Sequence, residues 1–360
     1  MSFNVDWVER LQSVRMRMED VTTINDPQNY QKFTGMLSFL HGPTNPKTID
    51  AKMMESMDKN QYRPVQIRYR QYKGSESVIT NDANLTCDPV EQRRDLLKPY
   101  EPNLFVADKF TIDEDYVRQN TEDFDSIDAR IERETMDLQR RLRESINSQL
   151  VAKASTLIGS NPATGVGAGD YTDVELLNSD GSLSVNNFDV MKNDQEDNYQ
   201  FGKPSVVGLG NMRRVFNRFA VGNVNTTAGI DFREVEDQFG MTFYKDQFTT
   251  DNLGDPNKVL LMYPGLQQFY HYNLNAGFYE QNTPDLRVKG RMPDAVYPFT
   301  YDYIWEYDKG CSTGNGTQGS WTMTMYLWFD MFTPPEDSFG DIYGELNDFT
   351  GIVGYNILQA

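Results

Sequence analysis

The chain has 360 residues, a net charge of -19, only 38% hydrophobic residues and a mean hydropathy of -0.63. That is room for about two domains but little apolar material to fill two large cores, so the chain should be extended or bury itself against copies of itself. Residues 161–360 carry 12 basic and 27 acidic side chains, -15 of the total, a surface that repels nucleic acid and argues against direct duplex binding by that part.

In chain order, Val5, Val8, Leu11, Val14 and Met18 recur at three- and four-residue steps, which predicts an amphipathic helix over 4–20 with arginines on its outer face. Tyr30, Phe33, Leu37 and Leu40 predict a second short helix closed by Gly42-Pro43, and Ile49 to Met57 a third. Short helices between proline-containing breaks have no core of their own, so this region reads as an arm lying on something else. From Tyr62 the period changes. Val65, Ile67 and Tyr69 alternate with Gln66, Arg68 and Arg70, a strand with one polar face; Lys73-Gly74-Ser75 turns it, and Val78 and Ile79 start back. Residues 88–102 are charged and hold three prolines, and Leu104–Val106 with Phe110–Ile112 supply further strand. A two-stranded arm of this kind is marginal alone and should lie across a neighbour.

The stretch from Thr121 to Ile158 predicts one continuous helix: Phe124, Ile127, Ile131, Leu138, Leu142, Ile146, Leu150, Ala154 and Leu157 keep the helical period, with only Thr135 interrupting. Acidic residues load its first turns, Arg140, Arg141, Arg143 and Lys153 weight the later part, and Gly159 and Pro162 stop it. Its length, roughly 55 Å at 1.5 Å per residue, exceeds what a compact domain needs. A coiled coil is the alternative, but no second helix of similar length and no sustained heptad accompany it.

Gly165 to Gly169 is flexible enough for a hinge; it lacks the lysine of a phosphate loop. Residues 170–200 read as an acidic loop. Val206-Val207 predicts a buried strand, 212–219 and 232–239 short helices, Met241–Tyr244 and Val259–Met262 strands, and Pro264 the start of a helix with Leu266, Phe269 and Tyr270. This alternation is one compact α/β domain. Tyr297, Phe299, Tyr301, Tyr303, Trp305 and Tyr307, then Trp321, Met323, Met325, Leu327 and Phe329, all fall at odd positions, so each run has one apolar face and the two form a hairpin. The long helix is the natural thing for that face to cover. The glycines of 314–319 have dinucleotide-loop spacing, but a strand follows where a helix is required, so they read as a turn.

Catalytic signals are absent. His41 and His271 sit near no nucleophile or metal-ligand partner, the latter in what reads as a Tyr-rich helix. Asp113 to Asp115 and Asp194 to Asp197 lack the spacing of a calcium loop and read as solvated turns. Cys87 and Cys311 are too few for a disulfide framework or a cysteine zinc site. No cofactor is expected. No run approaches a membrane span and Met1–Asp20 has no signal-peptide core, which predicts a soluble chain made in a reducing cytoplasm.

Taken in order, an N-terminal arm, a hairpin arm, a long helix, a compact α/β domain and a return hairpin resemble the major capsid proteins of tailed bacterial viruses, which share the Hong Kong 97 bacteriophage fold. Gly240–Asp246 with Asn257–Leu266 looks like the family's paired axial-domain strands, Arg287–Pro293, Tyr301–Tyr303 and Leu327–Pro335 like its closing β segment, and Gly351–Tyr355 like its terminal strand. The resemblance implies an α+β fold with an N-arm at 1–60, an extended loop at 61–112, a peripheral domain with its spine helix at 113–165 and 287–340, and an axial domain at 166–286 and 341–360. It implies pentamers and hexamers closing an icosahedral shell around packaged double-stranded DNA in a virion built in the host bacterial cytoplasm, a separate scaffolding protein, a portal, decoration proteins, and no enzyme activity. Arg68, Arg70, Lys73, Arg140 and Arg141 become the candidate contacts between subunits, and Arg10, Arg15, Arg17 and Arg143 join Arg140 and Arg141 as the basic groups nearest DNA. Some members join an extended-loop lysine to a neighbour's asparagine; Lys73 with Asn347 or Asn356 would be that pair. An encapsulin-type compartment shares the fold, and a tail or decoration component is a further alternative.

Overall fold

The structure is a computed structural model that describes residues 6–21, 35–41, 50–52, 65–70, 95–100, 103–120, 124–161, 164–179, 184, 186–187, 190–191, 205–208, 242–245, 252–272, 281–282, 287–308, 319–333 and 350–359. The first half contains helices α1 (Trp7–Val21) and α2 (Met36–His41), strands β1 (Asp50–Lys52), β2 (Val65–Arg70), β3 (Asp95–Tyr100) and β4 (Leu104–Asp113), and helices α3 (Glu114–Gln119) and α4 (Phe124–Thr156). Strands follow: β5 (Tyr171–Leu177), β6 (Ser205–Gly208), β7 (Thr242–Lys245), β8 (Lys258–Met262), β9 (Gln268–Tyr272), β10 (Gln281–Asn282), β11 (Arg287–Pro293), β12 (Thr300–Asp308), β13 (Ser320–Phe332) and β14 (Ile352–Gln359). Helices and mostly antiparallel sheets make this an α+β chain, in two compact units: residues 1–32, 102–146 and 270–330 in one, and 33–101, 147–269 and 331–360 in the other.

In the first unit the strand order is β10-β11-β12-β13-β4. The aromatic alternation forms the predicted hairpin, with Tyr303 opposite Met325, Trp305 opposite Met323 and Tyr307 opposite Trp321. The odd-numbered row is the buried one: Tyr301, Tyr303, Trp305, Trp321, Met323, Met325, Leu327 and Phe329. Val106, Phe110 and Ile112 of β4 continue that face, because β4 pairs with β13 along its length. Leu104–Asp113, which the sequence places in the arm, is therefore a single sheet strand. Gly290 stands opposite Tyr303, and a Cβ there would come within 2.6 Å of the buried tyrosine's hydroxyl and 2.7 Å of its ring, so the position favours glycine. Ile127, Ile131, Leu138, Leu142 and Ile146 of α4, and Trp7, Leu11, Val14 and Met18 of α1, are buried. The Trp7 ring lies 5.1 Å from Trp305 and 4.4 Å from Trp321.

The second unit is built on a mixed sheet in the order β5-β14-β8-β6-β7, with β14 parallel to β5 and antiparallel to β8. Ile352, Val353, Tyr355 and Ile357 of β14 are all buried, the near-continuous apolar run of a strand covered on both faces. Val259–Met262 of β8 and Leu150, Val151 and Ala154 of α4 are buried too. The chain just past α4 is tied to this sheet by Gly159 N–H donating to the Ile352 carbonyl at 2.9 Å, and the Thr350 hydroxyl donates to the Leu157 carbonyl, one of those past the last helical bond.

Several expectations are corrected. Asp50–Lys52, inside the predicted third helix, is a strand pairing β2; residues 53–57 lie outside the described set. The charged, proline-rich stretch before 102 includes β3, paired residue for residue with β2 and placing Pro99 opposite Gln66. Among the described residues β3 is an edge strand, where a missing N–H costs no ladder bond. Tyr171–Leu177, read as loop, is a strand because Thr172 and Leu176 face inward while Asp173 and Glu175 alternate toward solvent. Pro264 does not open a helix: Leu266 N–H donates to the Tyr263 carbonyl at 3.3 Å with Gly265 at φ 92°, a tight turn whose positive φ stops helical winding. The Tyr-rich segment after it, His271 included, is β9. The turn at 73–75, the return at 78–79, the helices at 212–219 and 232–239, the acidic run at 194–197 and the glycine turn up to 318 lie outside the described residues.

Candidate assembly site

α4 presents three longitudinal faces. The first is the apolar stripe. The second is polar and equally buried: Asp128, Thr135, Gln139, Arg143 and Asn147, at steps of seven, four, four and four, are each 4% exposed or less. Thr135 Oγ1 donates to Met323 Sδ at 3.7 Å. Gln139 Nε2 donates to the Pro293 carbonyl at 2.8 Å, and its Oε1 accepts from Ala295 N–H at 3.1 Å, so one amide clamps the β11–β12 loop in both directions. Arg143 Nη1 donates to Asp294 Oδ2 at 2.9 Å, and Tyr301 donates to the same oxygen at 3.1 Å. Burial, reinforced by the Asp294 charge, pushes the Tyr301 phenol well above its ordinary value. In the second unit, Leu37 N–H donates to Asn147 Oδ1 at 3.1 Å.

The third face is the exposed ladder. Arg130 pairs with Glu134 at 2.7 Å; Arg140 pairs with Asp137 and Glu144, each at 2.9 Å. Arg141 donates through Nε to Asp108 Oδ2 at 2.7 Å and through Nη1 to Asp137. The Asp137 hydrogen bond for Arg140 and the Asp108 hydrogen bond for Arg141 raise both guanidiniums above their usual basicity. These two candidate contacts thus sit at the surface, as the helical period predicts, but in ion pairs within their own chain. Arg143 does not share that face. Arg10 and Arg17, partly exposed, reach from the edge of α1 to Asp128 near the start of α4.

Arg68 and Arg70 lie on β2, the middle strand of the sheet β1-β2-β3, at positions opposite Leu97 and Asp95. Lys73 and Asn347 are outside the described residues. Asn356 lies on β14, its Nδ2 donating to Asp173 Oδ1 at 2.8 Å; Lys258, opposite it on β8, sets its ammonium 4.5 Å from the Tyr171 ring centroid.

Among the described residues no three His, Cys, Asp or Glu side chains converge as metal ligands, and no helix is long and apolar enough to cross a membrane. His41 Nδ1 lies 3.0 Å from the Leu37 carbonyl, one turn back on α2, with its ring 5.0 Å from Phe269. The His271 ring lies 6.0 Å from Phe299. Both histidines pack against aromatic rings.

No family model and no curated protein sequence matches the chain. Among solved structures it is similar to the capsid asymmetric unit of cyanophage A-1(L), with 12% identity, a TM-score of 0.45, and 87% of this chain and 97% of that one covered. It is similar also to the capsid of cyanophage P-SCSP1u, at 11% identity and a TM-score of 0.38 over 83% and 84% of the two chains. A third similarity is to the acid-stable capsid of Helicobacter pylori bacteriophage KHP30, at 9% identity and a TM-score of 0.27 over 82% and 85%.

Proposed function

We propose that the chain is the shell-forming subunit of a tailed bacterial virus head, with a fold of the Hong Kong 97 type, closing as pentamers and hexamers into an icosahedral shell around packaged double-stranded DNA. The observation that carries this reading is the sheet β1-β2-β3. Among the described residues it hydrogen-bonds only within itself, yet it is drawn from segments spread over residues 50–100. A three-stranded sheet becomes stable by covering one face, and a low-hydropathy chain with a long helix of 33 residues supplies that cover from copies of itself.

On this reading α4 is the spine, β4 and β10–β13 form the peripheral sheet, and the sheet around β14 belongs to the axial domain. Arg68, Arg70 and Lys73 meet the neighbouring subunit. A separate scaffold and a portal are the partners that such a shell implies, decoration proteins are optional additions, and the mature protein resides in the virion. Contact with DNA is non-specific proximity, since five of the arginines nearest it face carboxylates of their own chain. No step of catalysis is part of the role.

Electron microscopy of the purified full-length protein tests the proposal, and should show shells, tubes or capsomers. Deleting residues 66–100 should give a soluble monomer that no longer assembles. Normal shells from the deletion would remove the arm from assembly, and a full-length protein that stays monomeric at high concentration with scaffold present would overturn the reading. Shells packed with protein cargo rather than DNA would point to an encapsulin-type compartment.

A further inference from the structure

Two features fasten α1 to the first unit, and they oppose each other. The apolar face buries Trp7, Leu11, Val14 and Met18. The charged edge brings Arg10 and Arg17 to Asp128, a carboxylate on α4 that is 1% exposed. Both ion pairs are long, 3.5 Å from Arg10 Nη1 and 3.9 Å from Arg17 Nη2, and both reach the same oxygen, Oδ2. Oδ1 is buried and has no hydrogen-bond partner. A carboxylate removed from water needs its lone pairs filled at short range, and one hydrogen bond at the 3.5 Å limit, a second guanidinium farther off and the Ser13 hydroxyl, with Oδ1 left bare, do not replace its hydration.

We infer that α1 is a strap whose grip is set by the protonation of Asp128, weaker over the ionised carboxylate and tighter over the neutral acid. The apolar contacts hold the strap in either state; the carboxyl subtracts from them when charged. The described groups with the largest effect on it come from α1: Arg10, Arg17 and the Ser13 hydroxyl, each of which favours the ionised form. Burial outweighs them and lifts the Asp128 carboxyl above its ordinary value. With α1 lifted away, the carboxyl meets water and returns to the usual aspartate range. The docked state therefore binds the proton more tightly, so docking strengthens as pH falls from neutral through the raised value, and the gain is complete below the ordinary value of about 3.9.

Backbone amide hydrogen exchange of residues 8–18 in the full-length protein, corrected for intrinsic rates, reads this directly. Protection should rise several-fold between about pH 7 and about pH 4.5. Asp128→Asn should be more protected than the wild type at neutral pH and show little further change, while Arg10→Gln should steepen the dependence by raising the carboxyl further. Wild-type protection that is flat or falls with acid would overturn the inference, as would an Asn variant less protected than the wild type at neutral pH. If the Asn variant does not fold, the ¹³C titration of the Asp128 carboxyl in the wild-type protein decides: a midpoint at or below the ordinary aspartate range overturns it.

Discussion

Two of the buried carboxylates in the unit that holds the first part of α4, Asp294 and Asp128, have different surroundings. Asp294 is complete. Its Oδ1 accepts the N–H groups of Val296 and Tyr297, both at 2.8 Å, and its Oδ2 accepts Arg143 and the Tyr301 hydroxyl at 2.9 and 3.1 Å. Asp128 has one bare oxygen, two long ion pairs and the Ser13 hydroxyl. The reason is where each residue sits. Asp294 lies in the loop between β11 and β12, where backbone N–H groups are unclaimed and can turn toward a side chain. Asp128 lies on a helix, where from its own position onward the N–H groups are bonded to carbonyls four residues back, and the partners it has come from α1. Equal burial thus gives a locked corner in one place and a residual cost in the other. Even the corner is not saturated, since Arg143 Nε has no partner.

The largest effect should follow from breaking the complete corner. Arg143→Ala leaves Asp294 and Tyr301 buried without their cation, and we expect a loss of about 3 to 5 kcal/mol in urea unfolding. If Arg143→Ala costs no more than Arg10→Ala does at the incomplete site, completion is not what separates the two. Next comes the apolar stripe beside that corner: Leu142 is 2% exposed, and its truncation to Ala should cost about 2 to 5 kcal/mol in the same assay. A smaller effect sharpens the corner. Tyr301→Phe removes one hydrogen bond to a charged group, about 1 to 2 kcal/mol. Because the folded-state phenol is raised, the folded protein holds that proton where the unfolded chain has released it, so wild-type stability should fall as pH rises past about 10. The Phe variant should lose part of that alkaline slope, and an unchanged slope would take Tyr301 out of the account.

Strict periods were legible in the sequence. The odd-numbered aromatics gave β12 and β13, and the i, i+4 leucines gave α4 to within a few residues of its ends, whereas the terminal strand was reached only as Gly351–Tyr355, through the family resemblance. Elements whose reason for existing is a partner strand were not legible. β1 is three residues long and carries a helix-like apolar pattern on either side, β3 contains a proline, and β5 is rich in acids. Each is a strand because a neighbour offers a ladder, and that is information held elsewhere in the chain. Of the site, the outer position of Arg140 and Arg141 could be read from the helix, but the inward Arg143 could not be read from its charge. A signal was available: Thr135, Gln139, Arg143 and Asn147 repeat at four-residue steps beside the apolar stripe, and a polar series keeping the period of the core is a candidate for burial rather than a break in it. Thr135 belongs to that series instead of interrupting the other.

The smallest folding effect belongs to the exposed ladder. The Arg140 and Arg141 side chains are 40% and 39% exposed, and their partner Asp137 is 45% exposed, so water and salt screen every pair they make. Each Ala substitution should cost at most about 1 kcal/mol, and a moderate rise in salt should erase the difference from wild type. Arg141 should be the more costly of the two, since its 2.7 Å bond to Asp108 joins α4 to β4 whereas Arg140 pairs only along its own helix in the contacts described above. Folding and assembly then separate. If this face of α4 meets a neighbouring subunit, the double variant unfolds at nearly the wild-type urea concentration yet forms capsomers poorly, and the guanidiniums trade their intrachain carboxylates for those of the neighbour. If the double variant assembles normally, the ladder serves only the helix that bears it, and the contacts between subunits must be sought on the sheet that contains Arg68 and Arg70.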